Sequence, residues 1–341
     1  MRKKVVGFGE ILLRLSPPGY LRLLQADCLT ANYTGAEANS LVSLSRFGYE
    51  TSYVTRLPNN EIAECALATL RKYRVGVDEV VFGGERIGTY YSEKGASQRP
   101  SKVIYDRKYS AISQAQPGDF DWVRILKDAD AFLFTGITAA LGPGLPEICL
   151  EACRTARQLG ITVFCDLNYR KKLWSEERAR EVMTQLMPYI DVVLGNEEDS
   201  ETVLGIRAEH SDITGGSLSP EDYRDIAAQI CRLYGTKRVA FTLRTSISAN
   251  DNDWAGMLYE GGKAFFSRSY PMHIVDRMGG GDSFGAGMIY ATLEGMPPQR
   301  SIDFAVAASC LKHSIELDFN LSTLEEIEQL MAGDGSGRIR R

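Results

Sequence analysis

VDRMGGGDSFGAGMIY, residues 275–290, is the stretch from which the rest of the chain can be read. Gly279, Gly280 and Gly281 admit backbone angles closed to other residues and let a ligand approach the main chain. Asp282 and Ser283 are good helix starters, because their side chains accept from free first-turn N–H groups. Met288, Ile289 and Leu293 continue at an apolar helical spacing, while Gly285 and Gly287 allow close packing. Free N–H groups at a helix start attract anions. A carboxylate beside such a hole suits phosphoryl transfer: the amides would hold the moving group and Asp282 would take the proton of an attacking hydroxyl. The stretch taken alone reads equally well as a glycine-rich turn that caps a buried helix.

Composition narrows the alternatives. The chain has 341 residues, 44% hydrophobic and 24% charged, as expected of an ordinary globular protein. A net charge of −5 without a basic run argues against nucleic acid as a partner. No apolar run is long enough for a membrane span, and the start of the chain is too broken for a secretory signal, so a cytoplasmic protein is expected. The seven cysteines form no CxxC pair and read as reduced, mostly core residues. His210, His273 and His313 lie far apart and show no metal-ligand spacing.

Strands are expected at 4–8, 11–15, 28–34, 49–56, 77–82, 131–136, 161–166, 191–194 and 238–243. Helices are expected at 35–47, 60–73, 145–159, 223–234, 302–313 and 324–331. This alternation predicts a mostly parallel sheet covered by helices on both faces. Runs 89–92 and 102–105 break the rhythm as a tyrosine-rich hairpin, and with 11–34 would form a small separate sheet. A surface hairpin is expected at 254–259 and 263–270, and a frayed tail at 333–341. Gly7-Phe8-Gly9 begins like a dinucleotide fingerprint but fails at Leu12, and no P-loop motif occurs.

Asp276, Gly279, Gly281, Asp282 and Phe284 match the D-T-x-G-A-G-D-x-F signature of the ribokinase/PfkB carbohydrate kinases, and the chain resembles that family across about residues 3–330. Gly35 and Asn39 similarly match its N-terminal G-G-x-x-x-N signature, with Thr34 in place of the first glycine. The resemblance implies a ribokinase-like three-layer α/β/α domain over residues 1–330, with a small β-sheet lid from about 11–34 and 87–112. It implies ATP and Mg²⁺ as cofactors, leaves room for a monovalent cation, and suggests a homodimer or higher oligomer through the lid. Asp282 would be the base, with Gly279, Gly280 and Gly281 as the anion hole. Asn168, Asn196, Thr242, Arg244 and Ser309 would line the nucleotide side. Asn196 and Asp199 stand in an N-x-x-E position, so Asp199 would reach the metal through water. The family's K-x-G-x-x-G loop lacks its glycines after Arg244.

Stretches 99–107, 165–174 and 276–284 resemble the 2-keto-3-deoxygluconate kinase branch. A sugar acid needs a cation, ideally Arg, whose planar fork matches a carboxylate. The resemblance places Gly35, Asn39, Tyr90, Tyr105, Arg107, Arg170 and Asp318 on this sugar acid. Leu317 stands where glycine is expected before Asp318. The same chemistry on fructose, ribose, another sugar or sugar acid or a nucleoside, and a non-catalytic sugar or nucleotide binder, are the alternatives.

Overall fold

The computed structural model describes residues 2–207, 219–333 and 335. Its strands are β1 (Lys4–Phe8), β2 (Leu12–Ser16), β3 (Thr30–Thr34), β4 (Glu50–Leu57), β5 (Val80–Phe82), β6 (Gly88–Glu93), β7 (Lys102–Asp106), β8 (Ala131–Thr135), β9 (Thr162–Asp166), β10 (Val192–Gly195), β11 (Arg238–Ser246), β12 (Asp251–Glu260), β13 (Lys263–Phe266) and β14 (Tyr270–His273). The main sheet runs β13-β12-β11-β10-β9-β8-β1-β4-β5, with β14 also on β12. It is parallel from β5 to β11 and antiparallel where β12 meets β11, β13 and β14.

Side-chain alternation along the strands explains the layers. In β8, AFLFT, every residue is buried. Phe132 and Phe134 enter one core with Cys149, Cys165 and Ile226. Ala131 and Leu133 enter the other with Leu41, Phe284 and Ile302. Helices Leu145–Gln158, Glu176–Leu186 and Pro220–Tyr234 cover the first face. Ala36–Arg46, Gly280–Leu293 and Pro298–His313 cover the second. Each fully buried large apolar side chain contributes roughly 1.5–3 kcal/mol to this packing.

The small sheet has the order β3-β2-β6-β7, so the hairpin pairs with the β2–β3 segment as expected. A buried ionic cluster fastens it to the main body. Arg14 on β2 is 1% exposed and donates to Asp318 (2.6 Å) and Asp276 (2.9 Å). Tyr90 on β6 donates to the other Asp318 oxygen at 3.0 Å. Burial opposes the charge of Arg14, but Asp318 and Asp276 outweigh it and hold its pKa above the ordinary value.

Several expectations need correction. The helix Glu176–Leu186 was not anticipated, although Ser175 caps it by accepting from the Arg178 N–H. The supposed surface hairpin is the antiparallel end of the main sheet, with Met257 and Leu258 fully buried. β11 continues to Ser246, so the chain turns into β12 where a glycine loop would otherwise stand. Cys28 and Cys65 are exposed rather than core residues; all seven thiols are free. His210 and the tail at 333–341, apart from Gly333 and Gly335, lie outside the described residues.

Candidate active site

Parallel strands present their carboxyl ends on one side of a sheet, where ligands bind in folds of this class. Here β9 delivers Asp166 and Asn168, β10 delivers Gly195 and Asn196, and β11 delivers Thr242 and Arg244, all to one cavity of about 930 Å³. The small sheet contributes Leu12, Thr34, Tyr90, Tyr105 and Arg107 from above, and Asp318 closes the same side. The glycine turn supplies Gly279, Gly281 and Asp282.

Gly279 caps the Gly280–Leu293 helix with φ +80°, a left-handed angle. A Cβ there would lie 2.0 Å from the Asp318 carbonyl, so both conformation and space require glycine. The first intrahelical bond runs from the Ser283 N–H to the Gly279 carbonyl. The amides of Gly281 and Asp282 precede it and are free by the geometry of a helix start. A Cβ on Gly281 would meet nothing within 4 Å, and the residue lines the cavity.

Asp282 sits in the first turn of this helix. The Asn39 amide donates to its Oδ2 at 2.6 Å, and the Thr34 hydroxyl donates to Asn39 Oδ1 at 2.8 Å, which fixes the orientation of that amide. The Ser40 hydroxyl donates to the Asp282 carbonyl at 2.9 Å. Burial pushes the Asp282 carboxyl up to about 8; the Asn39 bond opposes the shift, and Asp166, Glu37 and Asp318 add to it. Burial likewise pushes Asp166 up to about 6 and Asp199, which Asp166 also repels, up to about 7. A carboxylate with a pKa near the working pH is suited to proton transfer.

The sequence pattern of the pfkB family carbohydrate kinases matches residues 2–314. The chain belongs to the pfkB family of carbohydrate kinases. The solved 2-dehydro-3-deoxygluconokinase of Thermotoga maritima is 50% identical, with a TM-score of 0.94 over 97% of this chain and 100% of that one. A 2-dehydro-3-deoxygalactonokinase of Haloferax volcanii is 31% identical over 99% of both chains. A fructokinase with bound ATP from Xylella fastidiosa shares the fold at 19% identity, with a TM-score of 0.76 over 98% of this chain and 99% of that one.

Most residues expected in the site of this carbohydrate kinase do meet in the cavity: Gly35, Asn39, Tyr90, Tyr105, Arg107, Asn168, Arg170, Asn196, Asp199, Thr242, Arg244, Gly279, Gly281, Asp282 and Asp318. Two do not. Ser309 is fully buried, and its hydroxyl donates to the Gly280 carbonyl at 2.7 Å, so it braces the turn from behind instead of touching a nucleotide. Gly280 is buried against the His313 ring, which leaves Gly281 and Asp282 as the outward amides. Gly35 is needed for space, since a Cβ there would lie 2.1 Å from the Glu10 carbonyl.

Three side chains have partners that change their reading. Asn39 points its amide at Asp282, so it orients the carboxylate as well as lining the cavity. Arg107 is paired with Glu10, through Nε at 2.8 Å and a second bond from Nη2, and lies over the Tyr105 ring. Arg170 is exposed, donates to the Tyr169 carbonyl at 2.8 Å, and lowers the pKa values of both Asp166 and Asp199. The unexpected Arg277 donates to the Ala249 carbonyl at 2.9 Å and so ties the β11–β12 turn to the glycine turn. Glu10 and Asp166, which line the cavity, were missed. For Glu10 and Asp166 the available signal was a carboxylate just past a buried parallel strand.

Proposed function

We propose that this kinase transfers the γ-phosphoryl group of ATP to the terminal hydroxyl of 2-keto-3-deoxygluconate, giving the 6-phospho acid. The observation that carries the reading is Asp282, held by Asn39 at the start of the glycine-capped helix with its carboxyl pushed up to about 8. In this mechanism Asp282 accepts the proton of the attacking hydroxyl. The Gly281 and Asp282 amides hold the transferring group, and Thr242 and Arg244 line the nucleotide end. Positioning carries most of such a reaction.

The donor set fits Mg²⁺ held by nucleotide phosphates and water. Burial raises the pKa of both Asp166 and Asp199, and Asp166 raises that of Asp199 further, a repulsion that a cation relieves. When bound, Mg²⁺ shields phosphate charge. Among the described residues no group of three or more His, Cys, Asp and Glu side chains could hold a metal by itself, which agrees with a metal shared with substrate.

Arg170 is the better candidate for the substrate carboxylate, because Glu10 already holds Arg107. Arg107, with Tyr105 beneath it, then orders the roof of the sugar pocket. That same Glu10–Arg107 pair favours a second reading, the same transfer to a neutral sugar. The test is ADP release with Mg-ATP against 2-keto-3-deoxygluconate, its galactonate epimer, 2-ketogluconate, fructose, ribose and adenosine. Preference for the keto-deoxy acids supports the proposal. Activity on a neutral sugar alone refutes the carboxylate assignment, and silence on all six refutes the substrate class. Arg170→Ala is expected to raise KM for the acid with a smaller change in kcat; an unchanged KM removes Arg170 from the binding site.

A further inference from the structure

Lys312 is 0% exposed and lies outside the catalytic arrangement described so far. Its ammonium donates to two backbone carbonyls, Asp276 and Ile315, each at 3.2 Å. The first precedes the glycine turn and the second precedes Asp318. Its Cε would lie 3.3 Å from a Cβ on Gly279. Burial, with Arg14, pushes its pKa down to about 8 against the pull of Asp276 and Asp318, so it still carries its charge at neutral pH.

Residues at i, i+3 and i+4 share one helix face. On the Pro298–His313 helix, Ser309, Lys312 and His313 form such a face beneath the turn. Ser309 holds the Gly280 carbonyl, and the His313 ring fills the space beside Gly280. The His313 carbonyl accepts from the Val275 N–H at 2.8 Å. Lys312 is the charged member of this face, and it joins the two chain segments that flank the anion-binding turn.

We propose that the Lys312 ammonium is a built-in cation that positions the Gly279–Asp282 turn, holding it in shape without a dissociable monovalent ion. A buried compact cation surrounded by backbone carbonyls is also the environment that suits K⁺ or ammonium. The lysine supplies the charge on a tether and leaves nothing to dissociate. It is a positioning residue: it reaches neither substrate nor nucleotide, and acts through the turn. The inference rests on the kinase reading for its effect on rate, but not for its effect on cation response.

The experiment compares the full-length protein with Lys312→Met, which keeps the bulk, and Lys312→Ala, which opens a space. Melting temperature and turnover are measured in chloride salts of K⁺, ammonium, methylammonium and choline at equal ionic strength. The unaltered protein is expected to melt at the same temperature in all four. Lys312→Ala is expected to be restored in part by K⁺, ammonium or methylammonium and not by choline. Lys312→Met is expected to lose on the order of 10²-fold in kcat, the scale of a displaced reacting group, with little change in KM. Cation-selective melting of the unaltered protein, full kcat in a folded Lys312→Met, or equal restoration of Lys312→Ala by all four salts would overturn it. Because the melting readout needs no substrate, failure of the kinase reading and failure of this inference are distinguishable.

Discussion

Asp282 carries the sharpest residue-scale predictions. Asp282→Asn is expected to lower kcat by on the order of 10²–10⁴-fold, the usual share of a general base, with ATP still bound; near-normal turnover removes it from that role. Its folded pKa of about 8 stands above the ordinary 3.8, so between those values the folded state holds more proton than the unfolded. Stability from this group therefore falls as pH rises through that window, and the same Asn variant should melt higher than the parent at pH 8. The kcat/KM profile should show an acid limb near pH 8 that Asp282→Asn abolishes. Leu317 offers a different check. It adopts φ +65°, where the sequence pattern expects glycine. Leu317→Gly is expected to stabilise the fold by about 0.5–1 kcal/mol, read as a higher denaturant midpoint. Site residues were legible where their chemistry is contiguous, as in the glycine run with Asp282. Pairings across the chain were not: nothing near Arg107 points to Glu10, 97 residues earlier. Thr34 looked like a departure from pattern until its hydroxyl was found steering Asn39.

At the scale of elements, two helices are in tight register. A Cβ on Gly287 would lie 2.6 Å from the Ala305 Cα, so the Gly280–Leu293 and Pro298–His313 helices meet backbone to backbone. Gly287→Ala is expected to destabilise by about 1–3 kcal/mol through overpacking, and to lower kcat as well, since this helix carries Asp282. A thermal melt and a rate assay of the same variant check both; an unchanged melting temperature would show that the helices can part at no loss. Most elements were legible because parallel strands are apolar throughout and helices show their own spacing. The Glu176–Leu186 helix escaped because it follows a polar loop and begins with charged residues, hiding the stripe of Ala179, Val182, Met183 and Leu186. The β12 strand was expected at 254–259, but its place in the main sheet was not, because a short alternating run does not reveal whether it lies at a surface or joins a sheet. Its partner β11 decides that.

For the whole molecule, the carboxylates in the cavity act together. Asp166, Asp199 and Asp282 are pushed up to about 6, 7 and 8, each from 3.8. Each removes stability as pH rises through its window, so the unliganded protein should melt lower at pH 8 than at pH 6.5. Below that, down to about pH 5, the trend should steepen, because all three carboxyls then hold a proton that the unfolded chain lacks and His313 offsets only one of them. His313, pushed down to about 4 from 6.5 by burial, binds a proton more readily when unfolded and so withdraws stability as pH falls. Mg-ATP, if it meets Asp166 and Asp199, should raise the melting temperature more at pH 8 than at pH 6.5; equal shifts would separate the cation from these carboxylates. The overall architecture was legible from strand–helix alternation, and the bolt of Arg14, Asp276 and Asp318 that ties the small sheet down was not. The bond from Asn39 to Asp282 joins residues 243 positions apart. During synthesis the orienting amide leaves the ribosome early and the carboxylate very late. On the proposed mechanism a half-made chain therefore holds neither base nor phosphate site, and an abandoned nascent fragment should not consume ATP.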